Sequence, residues 1–212
     1  MDFSLSEEQG AIRGAVAEIC ARFPDEYWRE ADARGDYPQD FVAALTEGGW
    51  LSILVPEEYG GAGLGMTEAA IVLEEINRSG GNGSACHAQM YTMGTLLRHG
   101  SEEQKGRYLP ELAAGRLRLQ AFAVTEPTTG SDTTRLATRA ERRGDGYVVH
   151  GQKTFISRVR QSDLMLLLAR TTPLEELEDR TQGISVFLVD LREAGDALEV
   201  RPLQAYYESL KA

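Results

Sequence analysis

Apolar residues recur at helical spacing near the start of the chain. One stripe is separated by four, three and four positions and is formed by Ile12, Val16, Ile19 and Phe23. This spacing predicts a helix with one buried face. Ser4 and Glu7 stand at capping-box spacing just before the stripe and predict the start of that helix.

Four further helices are predicted up to about residue 115. They run from near Pro38 to Gly48, across Ala69–Ile76 to Ser79, from Ser84 to Leu97, and from Ser101 to Gly115. In the second of these, Glu68, Glu74 and Glu75 occupy predicted polar positions. Residues 55–65 (VPEEYGGAGLG) are predicted to form a glycine-rich loop. They do not match a dinucleotide-binding motif, because Met66 stands where a third glycine would be needed and no buried strand precedes them.

The pattern changes to strands after Arg118. A short strand is predicted at Phe122–Val124, a hairpin around Gly144–Gly146, and two longer strands at Leu164–Arg170 and Ile184–Leu191. Helices followed by strands, without alternation, indicate an α+β protein with separate helical and β units. We predict a helical domain at 1–118 and a β domain at 119–212.

Charge and composition exclude several classes of protein. The 212 residues include 22 Lys and Arg against 33 Asp and Glu, a net charge of −11, which disfavours binding to nucleic acid or to anionic membranes. Cys20 and Cys86 lack zinc-site spacing and fit a reducing compartment, and His87, His99 and His150 lack metal-ligand spacing, so no metal is predicted. The acidic N-terminus and the absence of a long apolar run predict a soluble, cytoplasmic protein.

Two segments carry candidate binding chemistry. Ala121–Asp132 (AFAVTEPTTGSD) runs from an apolar strand into a loop dense in hydroxyls, which suits a polar ring or a phosphate. Gly151–Ser157 (GQKTFIS) places an aromatic residue, an apolar residue and a hydroxyl at the end of a strand, which suits a planar ring. An ordinary turn and an ordinary cross-strand aromatic residue are the alternatives, and spacing leaves both open.

The same segments resemble motifs of the acyl-CoA dehydrogenase family. Val124–Asp132 is similar to V-T-E-P-x-A-G-S-D, and Gly151–Ser157 is similar to G-x-K-x-W/F-I-T/S. Phe3–Gln9, Val55–Gly61 and Gly100–Pro110 also resemble family segments, in the same order. The resemblance extends to about residue 203. It implies an α-helical domain followed by an antiparallel β-barrel domain that is incomplete here, with FAD bound in an extended form without a Rossmann fold.

The resemblance also implies roles for individual residues. The implied cofactor contacts are Phe122, Ala123, Val124, Thr125, Gly130, Ser131, Phe155, Ile156 and Ser157. Thr125 would lie near N1 and O2 of the flavin, Phe155 would cover one face of the ring, and Ser157 would lie near N5. Ser131 would reach the cofactor or the acyl-CoA substrate. Phe155 and Ser157 replace the Trp and Thr of many members, and Thr129 stands where Ala is usual.

The implied reaction is α,β-dehydrogenation of an acyl-CoA thioester. In the family a carboxylate removes the α proton, a hydride passes to flavin N5, and electrons leave to an electron-transfer flavoprotein. The enolate-like charge that develops must be stabilised by preorganised donors, which in the family are a ribityl hydroxyl of FAD and a backbone N–H. Full-length members would be homodimers or homotetramers.

The family's catalytic glutamate lies on a C-terminal helical bundle that would follow Ala212, so no catalytic residue is predicted within the chain. Leu203–Ala212 does not resemble the family's continuation. A truncated gene is the favoured explanation, ahead of a deliberate fragment or a split protein. We therefore expect unpaired strand edges and no dehydrogenation by the chain alone, and turnover with a dye acceptor would contradict this.

Two other functions stay open. A flavin-dependent oxidase or monooxygenase on the same scaffold would consume O₂ with its substrate, whereas a non-catalytic fragment or subunit would co-purify with a partner chain. Met90, Tyr91 and Met93 could line an acyl pocket, although a stripe of this kind is more often part of a core.

Overall fold

Six α-helices precede a five-stranded sheet in the computed structural model, which describes residues 4–203. Phe3, at the start of the family-like segment Phe3–Gln9, and residues 204–212, which do not resemble the family, lie outside the described residues. The chain divides into two units between Leu119 and Gln120. The helices are α1 (Glu7–Cys20), α2 (Asp25–Arg34), α3 (Gln39–Glu47), α4 (Met66–Arg78), α5 (Ser84–His99) and α6 (Glu102–Ala113).

The apolar stripe of α1 faces the core, as predicted, but the predicted start of the helix is wrong. The residue that caps α1 is Ser6, whose Oγ accepts from Gln9 N–H at 3.2 Å while Gln9 Oε1 accepts from Ser6 N–H at 3.1 Å. Ser4 and Glu7 show capping-box spacing, but the Ser6–Gln9 pair satisfies both backbone donors reciprocally. Val16 is fully buried, and the other three residues of the stripe pack against the same core.

The sequence did not predict α2. Its ten residues are mostly polar and only Ala31 is buried, so no apolar stripe marks the helix. The helix is held instead by ring contacts, such as Trp28 against Phe41 with centroids 4.8 Å apart. It ends at Gly35, whose φ of 67° is a left-handed conformation that glycine adopts without strain.

The predictions of α3 to α6 are confirmed, with boundaries that differ by a few residues. Their shared core includes Phe41 and Leu45, both fully buried. One polar assignment is wrong, because Glu75 is buried with only 1% of its surface exposed. Arg78, one turn later, donates to both carboxylate oxygens at 2.8 Å, and this bidentate pair satisfies the buried charge.

The second unit is built on strands β1 (Leu119–Ala123), β2 (Arg139–Arg143), β3 (Gly146–His150), β4 (Leu164–Arg170) and β5 (Ile184–Asp190). The predicted hairpin is confirmed, since Arg143 pairs with Gly146 across a two-residue turn. Strands β4 and β5 pair antiparallel over their whole length. The strand predicted at Phe122–Val124 begins earlier, at Leu119, and ends at Ala123. The carbonyl of the next residue, Val124, accepts a hydrogen bond from the side chain of Lys153.

The strand order is β1-β4-β2-β3, with β5 on β4, and the sheet is open within residues 4–203. One pairing departs from the predicted antiparallel pattern, because β2 and β4 run parallel where Arg139 meets Arg170. Every residue of β3 is exposed. The helical unit followed by a sheet unit confirms the predicted fold class, and the sheet is not closed in the described part of the chain.

Candidate functional site

The two segments singled out in the sequence meet at the ends of their strands. Thr154 N–H donates to the carbonyl oxygen of Thr125 at 2.9 Å, four residues after β3 and two residues after β1. Because Thr154 directly precedes Phe155, this bond ties the end of Phe122–Thr125 to the start of Phe155–Ser157. We call these two stretches together the strand-end corner.

Phe155 presents an aromatic ring to solvent at this corner. Its side chain is 76% exposed, and its φ of 58° lies in the left-handed region that bulky residues rarely adopt. Its neighbour Ile156 packs against the apolar core of the sheet. Holding an aromatic residue in such a conformation costs about 1–3 kcal/mol, and strain of this kind is concentrated at functional sites.

A buried ion pair lies directly behind the corner. Lys153 Nζ donates to Glu126 Oε1 at 2.9 Å and to the Val124 carbonyl at 3.0 Å. The two charged side chains are only 8% and 3% exposed. Glu126 also accepts from the backbone N–H groups of Ala137 at 2.6 Å and Thr138 at 2.8 Å. Donors from two other stretches of chain, residue 153 and residues 137–138, therefore converge on one carboxylate.

Hydrogen bonding determines the charge of Glu126. Burial by itself would raise the pKa of this carboxyl, but donors from Ala137, Thr138 and Lys153 outweigh burial and lower the pKa to about 2. Burial lowers the pKa of Lys153, and its bond to Glu126 opposes that shift. Glu126 is thus a carboxylate at neutral pH and a poor acceptor for a substrate proton.

Sequence reasoning did not select Glu126 or Lys153 as site residues. A signal was nevertheless present, because residues 121–131 contain a single charged residue, Glu126, and residues 151–157 contain a single one of opposite sign, Lys153. Lone opposite charges in two apolar and hydroxyl-rich segments are candidates for a buried pair, since an unpaired charge would be costly to bury.

The hydroxyl-rich loop leaves the corner through a tight turn. Glu126 and Thr129 exchange backbone hydrogen bonds at 2.8 and 3.1 Å, and Thr129 Oγ1 donates to Arg135 O at 3.3 Å. Gly130 and Ser131 follow this turn and are exposed. The structure therefore brings seven of the nine predicted contact residues together at the corner, with Gly130 and Ser131 further along the loop.

The residues at the corner fit a planar heteroaromatic ring. Phe122, Val124 and Thr125 are half-buried and uncharged, while Ala123 is buried in the core of the sheet. Phe155 offers a flat apolar face, and the hydroxyls of Thr125 and Ser157 can bond to a polar edge. Because Glu126 and Lys153 neutralise each other, the corner carries no uncompensated charge from this pair.

Comparison with known proteins identifies the family. Residues 6–116 match the model of the acyl-CoA dehydrogenase N-terminal domain, and residues 121–207 match that of the acyl-CoA dehydrogenase middle domain. The chain belongs to the acyl-CoA dehydrogenase family. Acyl-CoA dehydrogenase FadE12 of Mycobacterium tuberculosis is 33% identical to this chain, and the matched region covers 92% of this chain and 57% of FadE12.

Solved structures also resemble this chain. The acyl-CoA dehydrogenase from Geobacillus kaustophilus superposes with a TM-score of 0.81 at 30% identity, over 90% of this chain and 50% of that one. The FAD complex of PigA superposes with a TM-score of 0.80 at 26% identity, over 90% and 49%. The chain thus spans about half the length of the relatives that it matches.

Residues 4–203 contain neither a metal-binding cluster nor a membrane-spanning helix. Within that range no group of three or more His, Cys, Asp or Glu side chains could hold a metal ion. None of the helices in the same range is both long and apolar enough to cross a membrane. Met90 and Met93, considered above for an acyl pocket, are buried in the helical unit, whereas Tyr91 is 41% exposed.

Proposed function

We propose that the strand-end corner binds the isoalloxazine ring of FAD. The observation that carries this proposal is the Thr154–Thr125 hydrogen bond, because it ties the residue that precedes the exposed Phe155 to the uncharged stretch that ends β1. Membership of the acyl-CoA dehydrogenase family and the similarity to an FAD complex support it. Gly130 and Ser131 would contact the extended remainder of FAD or the acyl-CoA.

The proposed reaction of the whole enzyme is α,β-dehydrogenation of an acyl-CoA thioester, with an electron-transfer flavoprotein as acceptor. When bound, FAD would supply the two-electron oxidation. Phe155 would cover one face of the ring and exclude water from it, while the hydroxyls of Thr125 and Ser157 would orient its polar edge. We assign no catalytic base to the described residues, because the carboxylate nearest the corner, Glu126, is buried, paired and of low pKa.

Titration of the full chain with FAD tests this proposal. Flavin fluorescence should be quenched on binding, and Phe155→Ala should weaken binding by up to about tenfold, since an aromatic pair contributes about 0.5–1.5 kcal/mol. Thr125→Val should weaken binding about threefold to tenfold through one lost hydrogen bond of about 1 kcal/mol. Tyr147→Ala, which removes an exposed aromatic ring from β3, is the matched control and should leave the affinity unchanged.

Two results would count against the proposal. One is the absence of saturable FAD binding by the wild-type chain, and the other is an equal loss of affinity in Phe155→Ala and Tyr147→Ala. If the corner belongs instead to an oxidase or monooxygenase, the FAD-loaded enzyme would consume O₂ on addition of substrate. An acyl-CoA dehydrogenase would pass its electrons to a flavoprotein or dye.

A further inference from the structure

The buried pair behind the strand-end corner has no part in the chemistry proposed above, yet it bonds to the stretch that ends β1 and to the base of the hydroxyl-rich loop. Lys153 also lies two residues before Phe155 in the second segment of the corner. We propose that Glu126 and Lys153 are positioning residues, which hold the segment carrying Phe155 and Ser157 in register with the end of β1. This inference rests on the proposed function only where it invokes FAD. The register itself is a property of the chain without a ligand.

Consecutive contacts define that register. Lys153 Nζ bonds to the Val124 carbonyl at 3.0 Å, and Thr154 N–H bonds to the Thr125 carbonyl at 2.9 Å. Lys153 Nζ then bonds to Glu126 Oε1 at 2.9 Å. Residues 124, 125 and 126 are therefore each tied to residue 153 or 154. A shift of one residue would break all three bonds and move Phe155 away from Thr125.

The same carboxylate closes the hydroxyl-rich loop. Glu126 accepts from the N–H groups of Ala137 and Thr138, so the loop that carries Ser131 begins and ends at one side chain. Gly151 adds a close contact, because a Cβ at that position would lie 2.3 Å from Thr138 Oγ1. The pair thus fixes both the aromatic segment and the base of the loop.

Stability relative to an apolar replacement gives little reason for charges at this place. Removing two charges from water is costly, and a buried ion pair can often be replaced by apolar residues of similar volume without loss of stability. Charge-assisted hydrogen bonds are, however, short and directional. Glu126 and Lys153 provide four such bonds to three segments, which apolar side chains could not orient.

Hydrogen exchange at the Thr154 amide tests the inference without FAD. In Lys153→Met this amide should exchange at least about tenfold faster than in the wild type, while the amides of β4 should change by less than about threefold. Lys153→Arg, which keeps the charge and the donors, should restore most of the protection. Lys105→Met breaks a more exposed Lys–Glu pair on α6, with Glu102 at 2.8 Å, and should leave Thr154 unaffected.

A double variant separates positioning from charge compensation. Glu126→Gln with Lys153→Met leaves no uncompensated charge, so stability should recover relative to Lys153→Met while Thr154 still exchanges fast. Recovery of Thr154 protection together with stability would overturn the inference, as would equal acceleration at Thr154 and in β4.

FAD titration adds a second readout. If the wild-type chain binds FAD, Lys153→Met should weaken binding about tenfold or more, and unchanged affinity in that variant would contradict the positioning role. If the wild-type chain binds no FAD, the proposed function fails, whereas the exchange experiment still decides whether the pair holds the register.

Discussion

Neutralising Glu126 should remove a defined part of the acid sensitivity of the protein. The pKa of this carboxyl falls from an ordinary value of 4.5 to about 2 in the folded chain. A difference of that size corresponds to about 3 kcal/mol of stability at neutral pH. Glu126→Gln resembles the protonated carboxyl and leaves Lys153 buried without a counter-charge. It should therefore lower the free energy of unfolding at pH 7 by about 3 kcal/mol.

The sign of the pH dependence follows from the direction of the shift. Because the folded state binds the proton of Glu126 less tightly than the unfolded state, the contribution is complete above about pH 5 and is lost towards pH 2. About 2 kcal/mol of it should disappear between pH 7 and pH 3. The wild-type chain should therefore lose about 2 kcal/mol more than Glu126→Gln over this interval.

Urea unfolding followed by circular dichroism at pH 7 and pH 3 measures this difference. Glu178→Gln, which neutralises an exposed glutamate between β4 and β5, is the matched control and should follow the wild type at both pH values. Equal losses in wild type and Glu126→Gln would refute the reasoning. That result would mean that the carboxylate is not stabilised by its hydrogen bonds.

Other expectations concern the helical unit and can be checked by thermal or urea unfolding. Gly61→Ala should destabilise by about 1–3 kcal/mol, because its Cβ would lie 2.1 Å from the Val55 carbonyl oxygen. Gly14→Ala, in open space on α1, should instead stabilise by about 0.5–1 kcal/mol, and a loss of stability there would contradict this. Ser101→Ala should cost about 1 kcal/mol through the lost cap of α6, and an unchanged midpoint would argue against that cap. Leu45→Ala should cost about 2–5 kcal/mol, since the side chain is fully buried, and a cost below 1 kcal/mol would exclude a packed core at this position.

Periodicity predicted the elements whose faces differ in polarity and failed where other forces decide. α1, α3, α4 and α5 each bury an apolar stripe, which is what spacing detects. α2 is mostly polar and fully buries only Ala31, and the partly buried rings of Tyr27 and Trp28 that pack against the core were too few to mark a helix by spacing. The true cap at Ser6 is decided by which reciprocal hydrogen bonds form, and spacing alone does not distinguish it from Ser4.

The candidate site shows the same division. Motifs pointed to the aromatic and hydroxyl residues of the proposed flavin site, because aromatic rings and hydroxyls are chemically distinctive in a short segment. The proximity of Thr125 and Thr154 depends on how the strands pair, which spacing could not decide. Glu126 and Lys153 were overlooked because charged residues are expected at the surface. Here both side chains are buried and form an ion pair with each other.

The most direct test of the account is a titration of the isotope-labelled full chain with FAD, followed by the amide resonances of both segments. We predict that resonances of residues 122–125 and 154–157 shift together, with one common dissociation constant, and that those of α2 stay unchanged. Saturable shifts confined to one segment or to the helical unit, or no shifts at all, would contradict the assignment of the strand-end corner as the flavin site.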